Sequence, residues 1–92
     1  MTKPKDIEGI IEDATFDFTM GDSNIAISKL ESLLESTSDS FAGWHALCEI
    51  HYSEKNFDAA LKAAEKAHGI KPDDLFINTS LSRIWLALGS KE

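Results

Sequence analysis

The stretch of sequence that decides the fold runs from Phe41 to Asp74 and reads FAGWHALCEIHYSEKNFDAALKAAEKAHGIKPDD. Its first half predicts a helix over 41–53, with the inward residues Phe41, Trp44, Leu47, Cys48 and Tyr52. Asn56 is a good N-cap for a second helix, which carries five alanines and ends at Gly69. Helices joined by a short loop pack as antiparallel neighbours. The stretch therefore predicts a helix hairpin.

The segment before this hairpin predicts a similar pair of helices. The first covers about 4–20, ends at Gly21 and has an apolar face made of Ile7, Ile11, Ala14 and Phe18. The second follows Asp22 as its N-cap, and its apolar stripe consists of Ile25, Ala26, Leu30, Leu33 and Leu34. A polar run over 36–40 breaks that pattern, so we interpret it as a loop that ends in another cap.

A fifth helix is predicted over 75–88, after the capping residues Asp73 and Asp74 and before Gly89. Strands are not expected, because no segment alternates apolar and polar residues with a period of two. The sequence therefore predicts an all-α fold, in which antiparallel helix hairpins stack and a fifth helix closes the stack.

One constant spacing relates these helices. With Phe41 as position 1, positions 4, 7, 8, 17, 20, 27, 30 and 32 are occupied by Trp44, Leu47, Cys48, Phe57, Ala60, Ala67, Ile70 and Pro72. This pattern resembles the tetratricopeptide repeat (TPR), a unit of about 34 residues that forms two helices. The same offset toward the N-terminus brings Gly21, Ala26 and Leu30 to positions 15, 20 and 24. Toward the C-terminus it brings Leu81, Trp85 and Gly89 to positions 7, 11 and 15.

The resemblance implies a short right-handed superhelix in a single domain that spans 1–92. Repeat one would cover about 7–40, repeat two 41–74, and a closing helix 75–88. The sequence departs from the family's commonest residues at Cys48, His51, Lys55 and Ala64. Repeat one also places Asp13 and Asp17 at nominally apolar positions, so we expect a register shifted by one residue, with Ile11, Ala14 and Phe18 inward.

In the family, the first helices of the repeats line a concave surface that binds peptides. The positions that match this surface on the third helix are Ala42, His45, Glu49, Tyr52 and Ser53. On the closing helix they are Phe76, Thr79, Arg83, Leu86 and Ala87. Of these we select His45, Glu49, Tyr52, Ser53, Thr79 and Arg83 as the candidate peptide-binding residues. Ala46 and Glu49 do not fit the lysine and asparagine with which some members hold a terminal carboxylate, so that ligand is disfavoured.

Composition narrows the choice of partner. The chain has 9 basic and 16 acidic residues and a formal net charge of −7. Nucleic-acid binding depends on clustered Lys and Arg, so we expect no nucleic-acid partner and favour a neutral or basic protein segment. We expect no membrane partner, because no apolar stretch approaches the ~20 residues that span a bilayer. A single cysteine and no visible signal peptide favour the cytoplasm.

The closing helix supports an alternative function, that of a self-assembling scaffold. It carries more apolar side chains than one neighbouring helix can cover, and such a patch commonly marks an interface. The predicted contact residues are Phe76, Ile77, Ile84, Trp85 and Leu88. We expect a homodimer through this helix, because closed twofold pairs are the commonest oligomers.

Chemistry-bearing residues cluster only on the third helix. His45 and Glu49 share a face and Cys48 and His51 form a second pair, so a metal-dependent enzyme is an outside alternative. A zinc site needs four convergent ligands, and nothing near Cys48 supplies an oxyanion hole. The sequence therefore predicts a non-catalytic module for protein binding, without a metal or another cofactor.

Overall fold

The computed structural model describes residues 4–89, so the predicted domain bounds at residues 1 and 92 lie outside the described residues. These residues form the helices α1 (Pro4–Thr19), α2 (Ser23–Ser36), α3 (Phe41–Ser53), α4 (Phe57–Ile70) and α5 (Leu75–Gly89), and no strand occurs among them. The prediction of an all-α fold with five helices is confirmed for residues 4–89. Each observed helix end lies within one residue of the predicted end.

Two of the predicted caps form and two do not. The Ser40 hydroxyl accepts a hydrogen bond from the Gly43 amide at 3.1 Å, and Asp74 Oδ1 accepts one from the Ile77 amide at 2.9 Å. Asp22 and Asn56 occupy cap positions, but neither side chain makes a capping hydrogen bond. Their ψ angles of 58° and 71° depart from the extended backbone that directs a cap side chain toward the helix. Side-chain capping by these two residues was therefore a wrong prediction.

The helices pack mostly against their neighbours in the chain. α1 pairs with α2 and α3 with α4, while α2 also contacts α3 and α4 also contacts α5. In addition, α1 and α5 both contact α3, so these three helices lie side by side with α3 in the middle. We call the open side of this layer the α1–α3–α5 face. Within residues 4–89, α3 is the helix that touches all the others.

Most of the residues that the sequence predicts to lie inward are found in the core. In α1, Ala14 is fully buried and Ile11 and Phe18 are partly buried, which is the register shifted by one residue. Asp17 is mostly covered and pairs with Lys29, with 2.6 Å between Oδ2 and Nζ. Four of the five alanines of α4 are buried, namely Ala60, Ala63, Ala64 and Ala67.

The prediction that Ile25 lies inward is wrong, because its side chain is 51% exposed. The buried residues of α2 are Ala26, Leu30, Leu33 and Leu34. At 100° per residue these occupy one arc of the helix, and Ile25 falls outside it. Ile27, on the other side of Ala26, packs against the core instead.

The backbone hydrogen bonds that close the loops recur at one constant offset, the step from Gly21 to Lys55, which we call the repeat offset. In the α1–α2 turn the Gly21 amide donates to Phe18 O at 3.0 Å, and in the α3–α4 turn the Lys55 amide donates to Tyr52 O at the same distance. Every other backbone bond outside the helices of the described residues has such a counterpart. Gly21 and Lys55 also share a left-handed conformation, with φ of 92° and 65°. The two hairpins therefore have the same backbone turns.

Two side-chain hydrogen bonds to the loops before α3 and α5 are also related by the repeat offset. Trp44 Nε1 donates to Ser38 O at 2.8 Å, and one repeat offset later Asn78 Nδ2 donates to Pro72 O at 3.1 Å. Both bonds tie the start of a helix to the loop before it. The entry into α5 is therefore built like the entry into α3.

Candidate functional site

The centre of the α1–α3–α5 face is a polar contact between α3 and α5. The Ser80 hydroxyl, on a residue that is 4% exposed, donates to Glu49 Oε2 at 2.9 Å. His45 Nε2 lies 3.9 Å from the same oxygen. Two predicted site residues, His45 and Glu49, are thus brought together, and Ser80 fixes the carboxylate between two helices.

Tyr52 forms the second contact between these helices. The Arg83 guanidinium lies over the Tyr52 ring, 5.6 Å from its centroid, and cation–π contacts at exposed sites contribute about 0.5–1 kcal/mol. The rings of Tyr52 and Phe57 meet in an edge-to-face arrangement, with 5.5 Å between centroids and 64° between planes. Arg83 and Tyr52, both predicted site residues, therefore lie next to one another across the helix boundary.

A cleft of about 500 Å³ opens beside Tyr52. Its lining residues are Phe18, Glu49, Tyr52, Ser53, Lys55 and Phe57. They combine three aromatic rings with one carboxylate, one ammonium group and two hydroxyls, one of them on the Tyr52 ring. We call this the Tyr52 cleft. Its volume falls in the range of about 300–1,000 Å³ that is usual for ligand pockets, and its lining suits an apolar side chain with a charged or polar neighbour.

Sequence reasoning missed three residues of this site. Phe18 was interpreted only as a core residue, although it stands one repeat offset before Tyr52. Lys55 was noted only as a departure from glycine. Ser80 lies between Ile77 and Ile84 at helical spacing, and a polar residue at such an inward position signals a buried hydrogen bond. That signal was present in the sequence and predicted no particular partner.

The far end of α3 carries a second arrangement of rings. Phe41 stacks on His45, with 5.9 Å between centroids and 17° between planes, and Lys71 Nζ lies 4.9 Å from the centroid of Phe41. His45 therefore packs between Phe41 and Glu49. The Lys71 ammonium also brings positive charge to this end of the α1–α3–α5 face, opposite the end marked by Lys55.

Thr79 and Ser53 are exposed, as predicted site residues should be. Ser53 lines the Tyr52 cleft. The Thr79 hydroxyl donates to Leu75 O at 2.9 Å, so this hydrogen bond stays within α5. Thr79 lies four residues before Arg83 and therefore shares its side of α5.

Only part of the predicted interface on α5 is exposed. Phe76 and Trp85 are 75% and 56% exposed, and Leu88 is partly buried. Ile77 and Ile84, in contrast, are fully buried and belong to the core, so their assignment to an interface was wrong. The reason is that α3 and α4 cover the side of α5 that carries both isoleucines and Ser80. Two leucines that were not in the predicted contact set, Leu75 and Leu86, are 79% and 72% exposed.

The residues of α3 that were considered as metal ligands or nucleophiles have the environment of packing residues. Burial raises the pKa of the fully covered Cys48 thiol to about 12; Glu49 adds to the rise and Arg83 opposes it. Burial lowers the pKa of His51, against a smaller opposite effect of Glu31, and its Nδ1 has no hydrogen-bond partner in the described part of the chain. No group of three or more His, Cys, Asp or Glu residues could hold a metal ion within residues 4–89.

Neither a protein-family model nor a curated protein sequence matches the chain. Across residues 4–89, no helix has both the length and the apolar character needed to cross a bilayer. The function is therefore inferred from the geometry of the chain itself.

Proposed function

We propose that the protein is a non-catalytic protein–protein interaction module of the TPR type, which binds a neutral or basic segment of a partner on the α1–α3–α5 face. The observation that carries this proposal is the Tyr52 cleft, where aromatic rings and a fixed carboxylate lie open beside one another. The expected compartment is the cytoplasm.

Three features support the TPR assignment. The loop hydrogen bonds recur at the repeat offset, which agrees with the length of about 34 residues that is typical of that repeat. The left-handed residues Gly21 and Lys55 stand where the family turns the chain between its two helices. Helices α1, α3 and α5 lie side by side, as the first helices of successive repeats do in a solenoid.

The charge of the chain and of the cleft supports a neutral or basic ligand. A net charge of −7 attracts cationic segments over distances longer than contact. In the cleft, Glu49 is held in place by Ser80 and can accept a hydrogen bond from Lys or Arg. The rings of Phe18, Tyr52 and Phe57 supply apolar walls. We therefore expect a ligand with an apolar residue next to a basic one.

The test is binding of fluorescent peptides of basic, neutral and acidic composition, measured by anisotropy. Glu49→Gln is expected to weaken the basic peptides about two- to fivefold, which is the contribution of a partly exposed ion pair. Ser53→Trp should weaken all peptides, because the indole would fill the cleft. Glu65→Gln on α4 removes the same charge from an exposed position outside the cleft and serves as the matched control. A preference for acidic peptides, or equal effects of Glu49→Gln and Glu65→Gln, would contradict the proposal.

Self-association through α5 is a second candidate function. It is favoured by four large apolar side chains that α5 leaves exposed, namely Leu75, Phe76, Trp85 and Leu86. The largest apolar patch on a monomer is often an interaction site. Light scattering over a concentration series tests it, and a constant monomer mass up to high micromolar concentration would remove it.

A further inference from the structure

The exposed side of α5 differs from the rest of the surface in charge. The chain has 16 acidic residues, yet α5 has none and carries Arg83 as its single charged residue. Two copies of an acidic protein repel one another most strongly where their carboxylates face each other. The surface of α5 is therefore a place where two copies can approach with little repulsion.

The residues at the centre of this exposed side form a palindromic pattern. Leu75, Thr79, Ser82 and Leu86 are all exposed, and their spacings are four, three and four residues. At 100° per residue they fall within an arc of about 60°, so they form one stripe along the helix. Because the spacings read the same in both directions, a twofold axis across the middle of the stripe maps it onto itself.

From this pattern we infer that two copies of the chain pair α5 against α5 in antiparallel orientation, about a twofold axis level with Ser80 and Leu81. The inference rests on the self-association proposed above and specifies its geometry. Leu75 then packs against the partner's Leu86, and Thr79 lies opposite the partner's Ser82. The bulky leucines fill both ends of the contact, while the two small hydroxyl residues let the helix axes approach in the middle.

Aromatic side chains flank this stripe on both sides. Phe76 lies on the side of α5 that also carries Arg83, and Trp85 lies on the opposite side. Each ring can lean toward the partner helix at the edge of the contact. The pairing therefore covers the leucines directly and the two rings at the rim, which is the distribution expected of an interface with an apolar centre.

The available area is that of a small interface. At exposures of 79%, 75%, 56% and 72%, the four large apolar side chains of α5 offer roughly 500 Å² per copy. A twofold pair buries at most this area on both copies, or up to roughly 1,000 Å², which is below the usual size of stable interfaces. We therefore expect a reversible dimer with a micromolar dissociation constant.

The pairing leaves the Tyr52 cleft accessible. The cleft is lined by α1, the end of α3, the turn after it and the start of α4, and none of its lining residues belongs to α5. A dimer through α5 would therefore display two clefts. Dimerisation is measured by light scattering and peptide binding by anisotropy. The failure of one proposal can therefore be distinguished from the failure of the other.

The first test is a disulfide across the axis. In the inferred pairing, the two copies of Ser82 lie near the twofold axis, at a separation of roughly 6 Å between Cα atoms that suits a disulfide. Ser82→Cys should give a covalent dimer after mild oxidation. Ser32→Cys, at an exposed serine of α2, is the matched control and should remain monomeric. The native Cys48 is fully buried and does not interfere. Equal cross-linking of both variants would overturn the inference.

The second test determines which residues face each other across the dimer, by placing opposite charges at Leu75 and Leu86. Leu86→Lys and Leu75→Glu each place two charges in the homodimer contact, and each should weaken it at least about tenfold. Mixed together, the two variants form one Lys–Glu pair and keep one Leu–Leu pair, so a heterodimer should reappear. Both side chains are largely exposed, so we expect the fold to be retained, and circular dichroism of each variant checks this.

Each outcome of the mixing experiment has a definite meaning. Recovery of the dimer on mixing supports the antiparallel register. If the wild type dimerises but mixing restores nothing, the register is wrong while self-association stands. If both single variants dimerise like the wild type, another surface is used and the inference falls. A wild type that stays monomeric up to high micromolar concentration removes the dimer and its register together, while peptide binding to the cleft stands or falls by its own measurement.

Discussion

The two hairpins of this protein have the same backbone turns but contribute side chains of different size to their common core. Their turns make the same hydrogen bonds at corresponding positions, and both turn through a left-handed residue. The second helices differ in volume, because the buried Leu30 and Leu33 of α2 correspond to the buried Ala64 and Ala67 of α4. The backbone turns thus repeat, while the side chains that fill the space between helices do not.

The first helices compensate for this difference. In α3, which pairs with the alanine-rich α4, Leu47, Cys48 and Ile50 are buried and Trp44 packs against the core. In α1, by contrast, the one side chain that is fully buried within the described residues is Ala14. Large residues on one helix are matched by small ones on the other, and the two hairpins make opposite choices. Substitutions at corresponding positions should therefore change the stability of the two hairpins differently.

A substitution at Leu30 should lower the free energy of unfolding the most. Leu30→Ala would leave a cavity between α2 and its neighbours, because the side chain is fully buried, and should lower the free energy of unfolding by about 2–5 kcal/mol. Denaturant unfolding followed by circular dichroism measures this. Ile25→Ala, at an exposed position of the same helix, is the control and should cost less than about 0.5 kcal/mol. Equal costs would show that α2 is not packed as described.

The reverse substitution at the corresponding position of α4 should also destabilise the fold. Ala64 is fully buried where the helices approach closely, so Ala64→Leu inserts atoms for which there is no space. We expect a loss of about 1–3 kcal/mol, which is typical of overpacking. Lys62→Leu, on the exposed side of α4, separates this effect from the change in helix propensity. A stabilised Ala64→Leu variant would mean that the two hairpins tolerate the same volume.

Substitutions in the two turns should change the free energy of unfolding by a smaller amount, and with opposite signs in the two hairpins. At Gly21, a Cβ would meet nothing within 4 Å, so Gly21→Ala should destabilise the fold through backbone strain alone, by about 1 kcal/mol. Lys55 adopts the same left-handed conformation with a side chain, so Lys55→Gly should stabilise the fold by about 0.5–1 kcal/mol. Thermal unfolding of both variants checks this, and shifts of the same sign would refute the correspondence of the turns.

The smallest effect is a dependence on pH that comes from the second hairpin. His51 corresponds to Asp17, but Asp17 pairs with Lys29 while burial lowers the pKa of His51 below its usual 6.5. Below pH 6.5 the unfolded chain then binds more protons at this residue than the folded chain does. Its contribution to stability is therefore full above pH 6.5 and is lost as the pH falls toward the lower folded-state pKa. Unfolding measured between about pH 7 and pH 5 should show a shallower decline for His51→Gln; an unchanged slope would exclude this residue as the cause.

The sequence predicts the helices better than it predicts what covers them. Helix ends follow local signals such as Gly21 and Ser40, which act within one turn, so they can be found without knowing the neighbours. The sides of α5 could not be assigned in this way, because apolar residues surround most of that helix. Ile77 and Leu86 look alike in the sequence, and only the positions of α3 and α4 make the first a core residue and the second a surface residue.

The candidate site shows the same limit. His45, Glu49, Tyr52 and Arg83 could be selected because they match positions of a known repeat, and the structure brings them together in pairs. The bond from Ser80 to Glu49 could not be predicted, since it depends on how closely α5 approaches α3. A contact between helices depends on their separation and rotation, and neither is encoded in the periodicity of a single helix.

The central position of α3 has a consequence for how the chain opens. Contacts in this array join near neighbours, so either end can loosen without disturbing the other. When α5 detaches, α3 keeps α1, α2 and α4; when α1 and α2 detach, it keeps α4 and α5. The amide hydrogens of α3 should then exchange with deuterium last, and those of the two ends first. A partner that bridges all three helices of the α1–α3–α5 face would slow exchange most at the ends, where its own contacts would replace the missing neighbours.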